Sequence, residues 1–160
     1  MNNIIQLSDH FSLAEATASS KAEEVGVDNT QCSPEVITNA VRTAVKMEKV
    51  RLLLHNSISV KSWIRCLLLN RALGSKDTSQ HILGLAVDFT CPKFGTPLEI
   101  CKLLLANKDL IGFDQLILEH TWVHISFALP NVQPRNQVLS LLATGGYAAG
   151  LTNNMGISYV

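Results

Sequence analysis

The apolar residues of this chain change their spacing abruptly at residues 56–57, and this change constrains the fold more than any other feature. Upstream, from Ser33 to about residue 55, they recur every three or four positions, which predicts one long amphipathic helix. Ser33 is a favourable N-cap and Pro34 suits the first helical position. Downstream, apolar and polar residues alternate over 58–65, which is typical of a strand. Predicted helices cluster before and between a few strands, without a regular alternation of strand and helix, so the predicted class is α+β.

Local signals place the other elements along the chain. Capping-box patterns start at Ser12 and at Thr96, where a hydroxyl residue is followed three positions later by glutamate. Two strand-like segments are separated only by His120-Thr121, which predicts a hairpin. The further predicted helices cover 12–25, 97–107 and a short stretch at 136–143, and the further predicted strands cover 85–90, 114–119 and 122–128.

The length and composition are those of one folded domain. A chain of 160 residues with 47% hydrophobic and 16% charged residues can bury a core, so we predict a single domain over 1–144. The Gly- and Asn-rich end, 145–160, is predicted to be a flexible tail. The four cysteines are scattered without a pair at metal-ligand spacing, so we expect reduced thiols.

Charge and hydropathy argue against two classes of partner. Thirteen basic residues balance thirteen acidic ones, so no electrostatic field favours nucleic acid or an anionic membrane. The apolar runs fall far below the ~20 residues of a membrane span. The first ten residues lack a basic start followed by an apolar stretch, so we expect no signal peptide. The expectation is a monomer, made in the cytoplasm, without nucleic-acid or membrane partners.

The second strand of the predicted hairpin places a histidine and a carboxylate on one face. Val123 and its alternate neighbours would face the core, so His124 would lie on the opposite face. A two-residue loop would set Glu119 across from Trp122, on the face of His124. Glu119 is therefore the candidate general base for chemistry beside His124.

Asp88 is unusual because it lies within an apolar strand, where an ionised carboxylate requires a cation, hydrogen-bond donors or both. Gly84 lets the chain turn between His81 and Asp88, so that both side chains can converge with His124. Two imidazoles and one carboxylate suit Zn²⁺ and leave a fourth position for water. By chemistry alone, His124 could instead be a hydrogen-bonded structural histidine, and Asp88 a carboxylate satisfied by N–H groups.

Four short strings of this sequence are more informative together than singly. They are Ser62-Trp-Ile-Arg65, Ser79-Gln80-His81, Gly84-Leu-Ala86-Val-Asp88 and Trp122-Val-His124-Ile-Ser126. In order and spacing they resemble the zinc D-Ala-D-Ala carboxypeptidase and L-alanyl-D-glutamate peptidase family, over roughly residues 9–130. That family includes phage endolysins and related virion enzymes. The resemblance implies a small, mainly antiparallel sheet with helices packed on one side, of the hedgehog and D-Ala-D-Ala-peptidase type.

The resemblance also implies a function and assigns roles to residues. The expected activity is zinc-dependent hydrolysis of stem or cross-link peptides in bacterial peptidoglycan, by a phage endolysin or a virion-associated wall hydrolase. The implied zinc ligands are His81, Asp88 and His124. Arg65 would stabilise the polarised carbonyl or a substrate carboxylate. Three further residues are predicted to contact the peptide: Ser79, Gln80 and Trp122. Ser79 and Gln80 could instead merely position His81, and Trp122 could pack in the core or at the rim of the site.

One position departs from the family pattern. Many members carry a catalytic acid or histidine three residues before the last ligand, where this chain has Thr121. Glu119 is the predicted substitute, and His120 is the second candidate. If neither acts, the domain would be an inactive metal-containing module that binds peptidoglycan or serves in a phage structure. The bond that is cut (D-Ala-D-Ala, L-Ala-D-Glu or a cross-bridge) stays open at this stage.

Overall fold

The computed structural model of the protein describes residues 5–159, so the predicted domain limits at residues 1 and 160 lie outside the described residues. The helices are α1 (Leu13–Thr17), α2 (Ser20–Val25), α3 (Pro34–Leu54), α4 (Leu67–Ala72), α5 (Pro97–Ala106) and α6 (Lys108–Ile111). The strands are β1 (Ser59–Ser62), β2 (Ala86–Thr90), β3 (Gln115–Leu118), β4 (Val123–Ser126), β5 (Gln137–Leu141) and β6 (Tyr147–Ala149). The predicted α+β class is confirmed.

Helix α3 confirms the helix that the apolar spacing predicts. The Ser33 hydroxyl caps its first turn by accepting a hydrogen bond from the amide of Val36 at 3.3 Å. His55 ends the helix in the left-handed conformation, with φ 50°. The buried face of α3 packs into the core with Ala40, Ala44, Met47, Val50 and Leu54. Within residues 5–159, no helix is both long enough and apolar enough to cross a membrane.

The strands form one sheet in the order β1-β2-β4-β3-β5-β6. Four of the five neighbouring pairs are antiparallel, but β3 and β5 are parallel, so the sheet is mixed. The parallel pair follows from the hairpin geometry. Strand β4 ends where Ser126 lies opposite Gln115, at the start of β3, and the chain re-enters the sheet on the other side of β3 with Gln137 opposite Gln115.

The C-terminal segment differs from its sequence prediction. The short helix predicted over 136–143 is wrong, because Gln137–Leu141 form β5. The edge of β3 offers backbone hydrogen-bond partners to residues 137–140, and this strand pairing outweighs the weak helical preference of the segment. Strand β6 pairs with β5, and Leu151 belongs to the hydrophobic core. The predicted tail, 145–160, therefore contributes a strand and a core residue, while its flexibility stays a prediction.

The helix predicted over 12–25 is divided in two. Ser12 caps α1 as predicted, by accepting a hydrogen bond from the amide of Glu15 at 3.2 Å. That helix ends at Thr17, and the hydroxyl of Ser19 then caps α2 through the amide of Ala22 at 3.2 Å. A second capping serine inside the predicted helix is thus the physical reason for the break.

The turn that leads into β2 is held against helix α3. Gly84 has φ +74°, and a Cβ atom on it would lie 2.9 Å from the backbone oxygen of Val36. The carbonyl of Gly84 accepts a hydrogen bond from Nε1 of Trp63 at 3.0 Å. Both the left-handed conformation and the close approach require glycine at this position.

We expect Gly84→Ala to lower the free energy of unfolding by about 2–4 kcal/mol, since it combines left-handed strain with a clash against backbone. Gly74→Ala is the matched control, because Gly74 has φ +71° but a Cβ on it would meet no atom within 4 Å. Gly74→Ala should lower the free energy of unfolding by about 1–2 kcal/mol, because it introduces only the left-handed strain. Urea unfolding measures both, and equal losses would contradict the packing role of Gly84.

A buried carboxylate joins the loop before His81 to the connection between β4 and β5. Oδ2 of Asp114 accepts hydrogen bonds from Nη2 of Arg135 at 2.6 Å and from Nε2 of Gln80 at 3.1 Å. Oδ1 of Asp114 accepts one from the amide of Arg135 at 2.8 Å. Burial alone would raise the pKa of Asp114, but these hydrogen bonds outweigh it and hold the pKa below its ordinary value.

The lowered pKa of Asp114 makes its contribution to stability dependent on pH. A carboxyl with a lower pKa in the folded state stabilises the fold above its unfolded pKa of about 3.9, and this contribution is lost as the pH falls through the folded value. We therefore expect Asp114→Asn to lower the free energy of unfolding by about 1–2 kcal/mol at pH 7. The difference from wild type should narrow as the pH falls below about 4.

Denaturant titrations at several pH values test this expectation. Asp77→Asn is the control, because Asp77 pairs with Arg71 on the exposed surface, where side-chain pairs contribute little. If Asp114→Asn lowered the free energy of unfolding by the same amount down to low pH, the charge of Asp114 would not be responsible for the loss.

Candidate metal centre and active-site cleft

Three metal-ligating side chains converge on one face of the sheet. Strands β2 and β4 pair so that Asp88 lies directly opposite His124, which places both side chains on the same face. His81 approaches from the turn that precedes β2. One ligand atom from each of the three lies within 4.8 Å of the others. The structure therefore brings together the three residues predicted as zinc ligands.

The carboxylate of Asp88 is the centre of this cluster. Its Oδ1 lies 2.8 Å from Nδ1 of His124, and its Oδ2 accepts a hydrogen bond from Nη2 of Arg65 at 2.7 Å. Burial opposes ionisation, but the adjacent His81 and His124 outweigh it and hold the pKa of Asp88 well below its usual range. Asp88 is thus held as a carboxylate, the form that binds a metal.

His81 is oriented for ligation by the backbone. Its Nδ1 lies 2.7 Å from the carbonyl oxygen of Trp63, which can only accept, so Nδ1 carries the proton and Nε2 presents a lone pair. That Nε2 lies 3.3 Å from Oδ2 of Asp88. Burial lowers the pKa of His81, so a second proton between these atoms is disfavoured. A metal cation fits this pair of facing acceptors, and the carbonyl supplies the supporting hydrogen bond that metal-bound histidines require.

A cleft of about 470 Å³ opens beside the three side chains. Its walls include four further residues predicted for the site: Arg65, Ser79, Glu119 and Trp122. Ser79 lines the cleft and accepts a hydrogen bond from the amide of His81 at 3.4 Å, so it helps to position His81, while its contact with the peptide stays a prediction. Residues from each of the four sequence motifs therefore line the same cavity.

Glu119 reaches the cleft through the predicted hairpin. Its amide donates to the carbonyl of Trp122 at 3.1 Å, which confirms the register with only His120 and Thr121 between them. Glu119 is 9% exposed, and burial raises the pKa of its carboxyl. His120 is exposed and lines a neighbouring cavity, not this cleft. Of the two candidate bases, the geometry favours Glu119.

Arg65 lies in the cleft but is already engaged. Besides Asp88, its guanidinium contacts two hydroxyl groups, with Nε donating to Ser62 at 2.8 Å and Nη1 to Ser75 at 3.4 Å. Its side chain is 12% exposed. The arginine is thus fixed in place by Asp88 and two hydroxyl groups, with its side chain in the wall of the cleft.

The structure does not place Gln80 in the cleft. Its Nε2 donates to Asp114 and, at 3.0 Å, to the carbonyl of Phe127, and its Oε1 accepts from Nη2 of Arg135 at 3.1 Å. The amide of Gln80 is thus engaged outside the cleft, and its contact with substrate stays a prediction that this geometry does not favour. Because the amide is consumed by distant residues that fold against this loop, the residue supports the loop before His81.

Sequence analysis missed Tyr147, which forms part of the opposite wall. Its hydroxyl donates to Oε1 of Glu119 at 3.4 Å, and the residue lines the same cleft. It lies on β6, in the segment predicted as a tail. A signal was present, since Gly145-Gly146 separates two short apolar stretches and such a pair is typical of a hairpin.

Comparison with known proteins agrees with this geometry. A family model described as Peptidase M15 matches residues 9–126, which is most of the chain and includes all three ligands. No curated protein matches the chain. Peptidases of this family depend on zinc, and the cluster of two histidines and one aspartate fits that ion. The chain belongs to the peptidase M15 family of metallopeptidases.

Proposed function

We propose that this protein is a zinc-dependent peptidase that hydrolyses peptide bonds in bacterial peptidoglycan. The observation that carries the proposal is the convergence of the His81, Asp88 and His124 cluster with Glu119 in one open cleft. Membership in the peptidase M15 family supports it. As biological setting we propose a phage endolysin or a virion-associated wall hydrolase, because the stretch from Phe11 to Glu15 resembles the smaller members of that family.

His81, Asp88 and His124 would hold the zinc ion. When bound, zinc supplies Lewis-acid chemistry, which polarises a carbonyl group and makes water a better nucleophile at neutral pH. The chain prepares its ligands in advance. The carbonyl of Trp63 fixes the tautomer of His81, and Arg65 fixes the orientation of Asp88. Such supporting contacts are worth about 10- to 100-fold in metal affinity.

Glu119 is the residue that we propose as general base. It would take a proton from the attacking water and return it to the leaving amine. Tyr147 contacts its Oε1, while within residues 5–159 Oε2 makes no hydrogen bond and is free to receive that proton. Tyr147 is therefore proposed as a positioning residue, which limits the orientations that the carboxylate adopts in the cleft.

Arg65 is proposed to steady negative charge that develops on the peptide carbonyl. Its guanidinium lines the cleft and is held in place by Asp88, Ser62 and Ser75. A fixed cation in a partly buried site stabilises developing charge without reorganising. Ser79 and Trp122 line the same cleft and are proposed to contact the peptide.

A second candidate function is a metal-containing module that binds peptidoglycan without hydrolysis. The observation that favours it is Thr121, which occupies the position where many family members carry a catalytic acid or histidine, and which is exposed. A threonine hydroxyl is not basic enough to accept a proton from water at neutral pH. The two candidate functions differ in whether Glu119 acts as a general base, so that the bound peptide is hydrolysed.

We expect purified protein to contain about one zinc ion per chain, because two imidazoles and one carboxylate form a three-ligand catalytic site. Elemental analysis after dialysis measures this content. His124→Ala should lose the ion, whereas His120→Ala should retain it, because His120 lies outside the cleft. Wild-type protein that stays free of zinc after supplementation would contradict the proposed function.

We expect Glu119→Gln to lower kcat/KM on purified peptidoglycan by about 10²–10⁴-fold, the contribution of a positioned general base. Its zinc content should equal that of wild type. His120→Ala should retain activity, and Tyr147→Phe should show a smaller loss than Glu119→Gln. Mass spectrometry of the products identifies the bond, since loss of terminal D-Ala indicates a carboxypeptidase and release of stem peptides an endopeptidase.

The controls separate the two candidate functions. Zinc-loaded wild type that releases no peptide would support the inactive binding module. Loss of activity in His120→Ala together with full activity in Glu119→Gln would move the general base to His120.

A further inference from the structure

A second cavity of about 260 Å³ continues the cleft on the side of β1 and α2. The two cavities share Arg65, Leu73, Asp88 and Trp122 in their walls, so the smaller cavity lies directly beside the cleft and the metal cluster. We call the smaller cavity the lysine pocket. Its outer wall is formed by Ser19, Ser20, Lys21, Lys61 and Ser62. Two of these residues have structural roles, since Ser62 accepts a hydrogen bond from Arg65 and Ser19 caps α2, whereas the two lysines and Ser20 have none in the candidate site.

Lys61 is directed to this pocket by an irregularity in the sheet. Val60 pairs with Phe89, and Ser62 pairs with Asp88, so two steps along β1 correspond to one step along β2. Lys61 is the extra residue of this β-bulge. A bulge reorients a side chain relative to a regular strand and is frequent beside active sites. The bulge thus accounts for a lysine in the wall of the same pocket as Asp88.

The charges in the pocket leave Lys61 available. Arg65 is bound to Asp88 at 2.7 Å, and Lys21 is bound to Glu24 at 2.7 Å. Within residues 5–159, no carboxylate forms a salt bridge with Lys61. Asp88 is the acidic residue in the pocket wall, and it is already surrounded by Arg65 and two histidines. The pocket therefore offers an unpaired cation beside the scissile site.

We propose that the lysine pocket binds a carboxylate of the substrate peptide and that Lys61 is its principal cationic partner. Peptides that contain glutamate or end in alanine carry such free carboxylates. The hydroxyl groups of Ser19 and Ser20 lie in the same wall and can donate hydrogen bonds to the same group. The identity of the ligand as a peptide rests on the proposed function, whereas the anion preference rests on the pocket itself.

A matched pair of synthetic peptides tests the pocket. Both have the sequence L-Ala-D-Glu-L-Lys-D-Ala-D-Ala, one with free carboxylates and one with amides in their place. Binding is followed by fluorescence, because Trp122 lines both cavities while the other tryptophan, Trp63, is only 1% exposed. Zinc-loaded Glu119→Gln protein prevents hydrolysis during the titration. The variants compared on this background are Lys61→Gln and Lys93→Gln, since Lys93 is exposed and lines neither cavity.

The expected preference for the carboxylate peptide is about fivefold larger with Lys61 present than in Lys61→Gln, as for one partly exposed ion pair. Lys93→Gln should keep the full preference. Raising the salt concentration to ~1 M should reduce the preference in the Lys61 protein and leave Lys61→Gln nearly unchanged, because the Debye length falls to ~3 Å.

A preference that is equal with and without Lys61 overturns the proposal, as does an equal loss in Lys93→Gln. Failure of the proposed function looks different. In that case the wild-type protein hydrolyses neither peptide, while the binding titration still shows whether Lys61 selects the carboxylate.

Discussion

The buried carboxylate of Asp88 is the constraint on which the rest of the structure depends. Burying an unpaired carboxylate is costly, so every nearby element supplies compensation: β4 brings His124, the turn before β2 brings His81, and the end of β1 leads to Arg65. The register of the sheet also compensates Asp88, because it places this residue opposite His124. A shift of one residue along β2 would put Asp88 where Val87 and Phe89 are fully buried in the apolar core.

The support of this cluster comes from backbone groups as much as from side chains. The carbonyl of Trp63 fixes the ring of His81, and the indole of the same residue donates to the carbonyl of Gly84. Trp63, the residue that follows β1, therefore holds both His81 and the turn between His81 and β2. Because Gly84 also approaches the backbone of Val36 closely, the position of helix α3 is transmitted to the metal site. The long helix is remote from the metal cluster, yet the turn that follows His81 packs against it.

The sequence was sufficient for those parts of the site whose signals are local. Helix α3, strands β2 and β4 and the two-residue hairpin loop follow from spacing and capping. The resemblance named as metal ligands the three side chains that the structure brings together. The engagement of Gln80 outside the cleft and the presence of Tyr147 in its wall could not be predicted because their partners are distant. Asp114 lies 34 positions from Gln80, and Glu119 lies 28 positions from Tyr147. Strand β5 was missed for the same reason, since its conformation depends on the edge of β3 and not on its own residues.

The family match ends at residue 126, but the cleft does not. Leu141 on β5 and Tyr147 on β6 complete its wall, and Tyr147 contacts the carboxylate of Glu119. The contact matters for the proposed base, because Thr121 stands where many family members carry a catalytic acid or histidine. When the base is carried by Glu119, at the start of a hairpin loop, its side chain needs a partner that limits its orientation, and the hairpin itself supplies none within hydrogen-bonding distance. A strand added beyond the matched region provides that partner through the parallel pairing of β3 with β5. The C-terminal strands therefore complete the wall of the cleft that holds Glu119 and the candidate metal cluster, in a part of the chain that the family model does not cover.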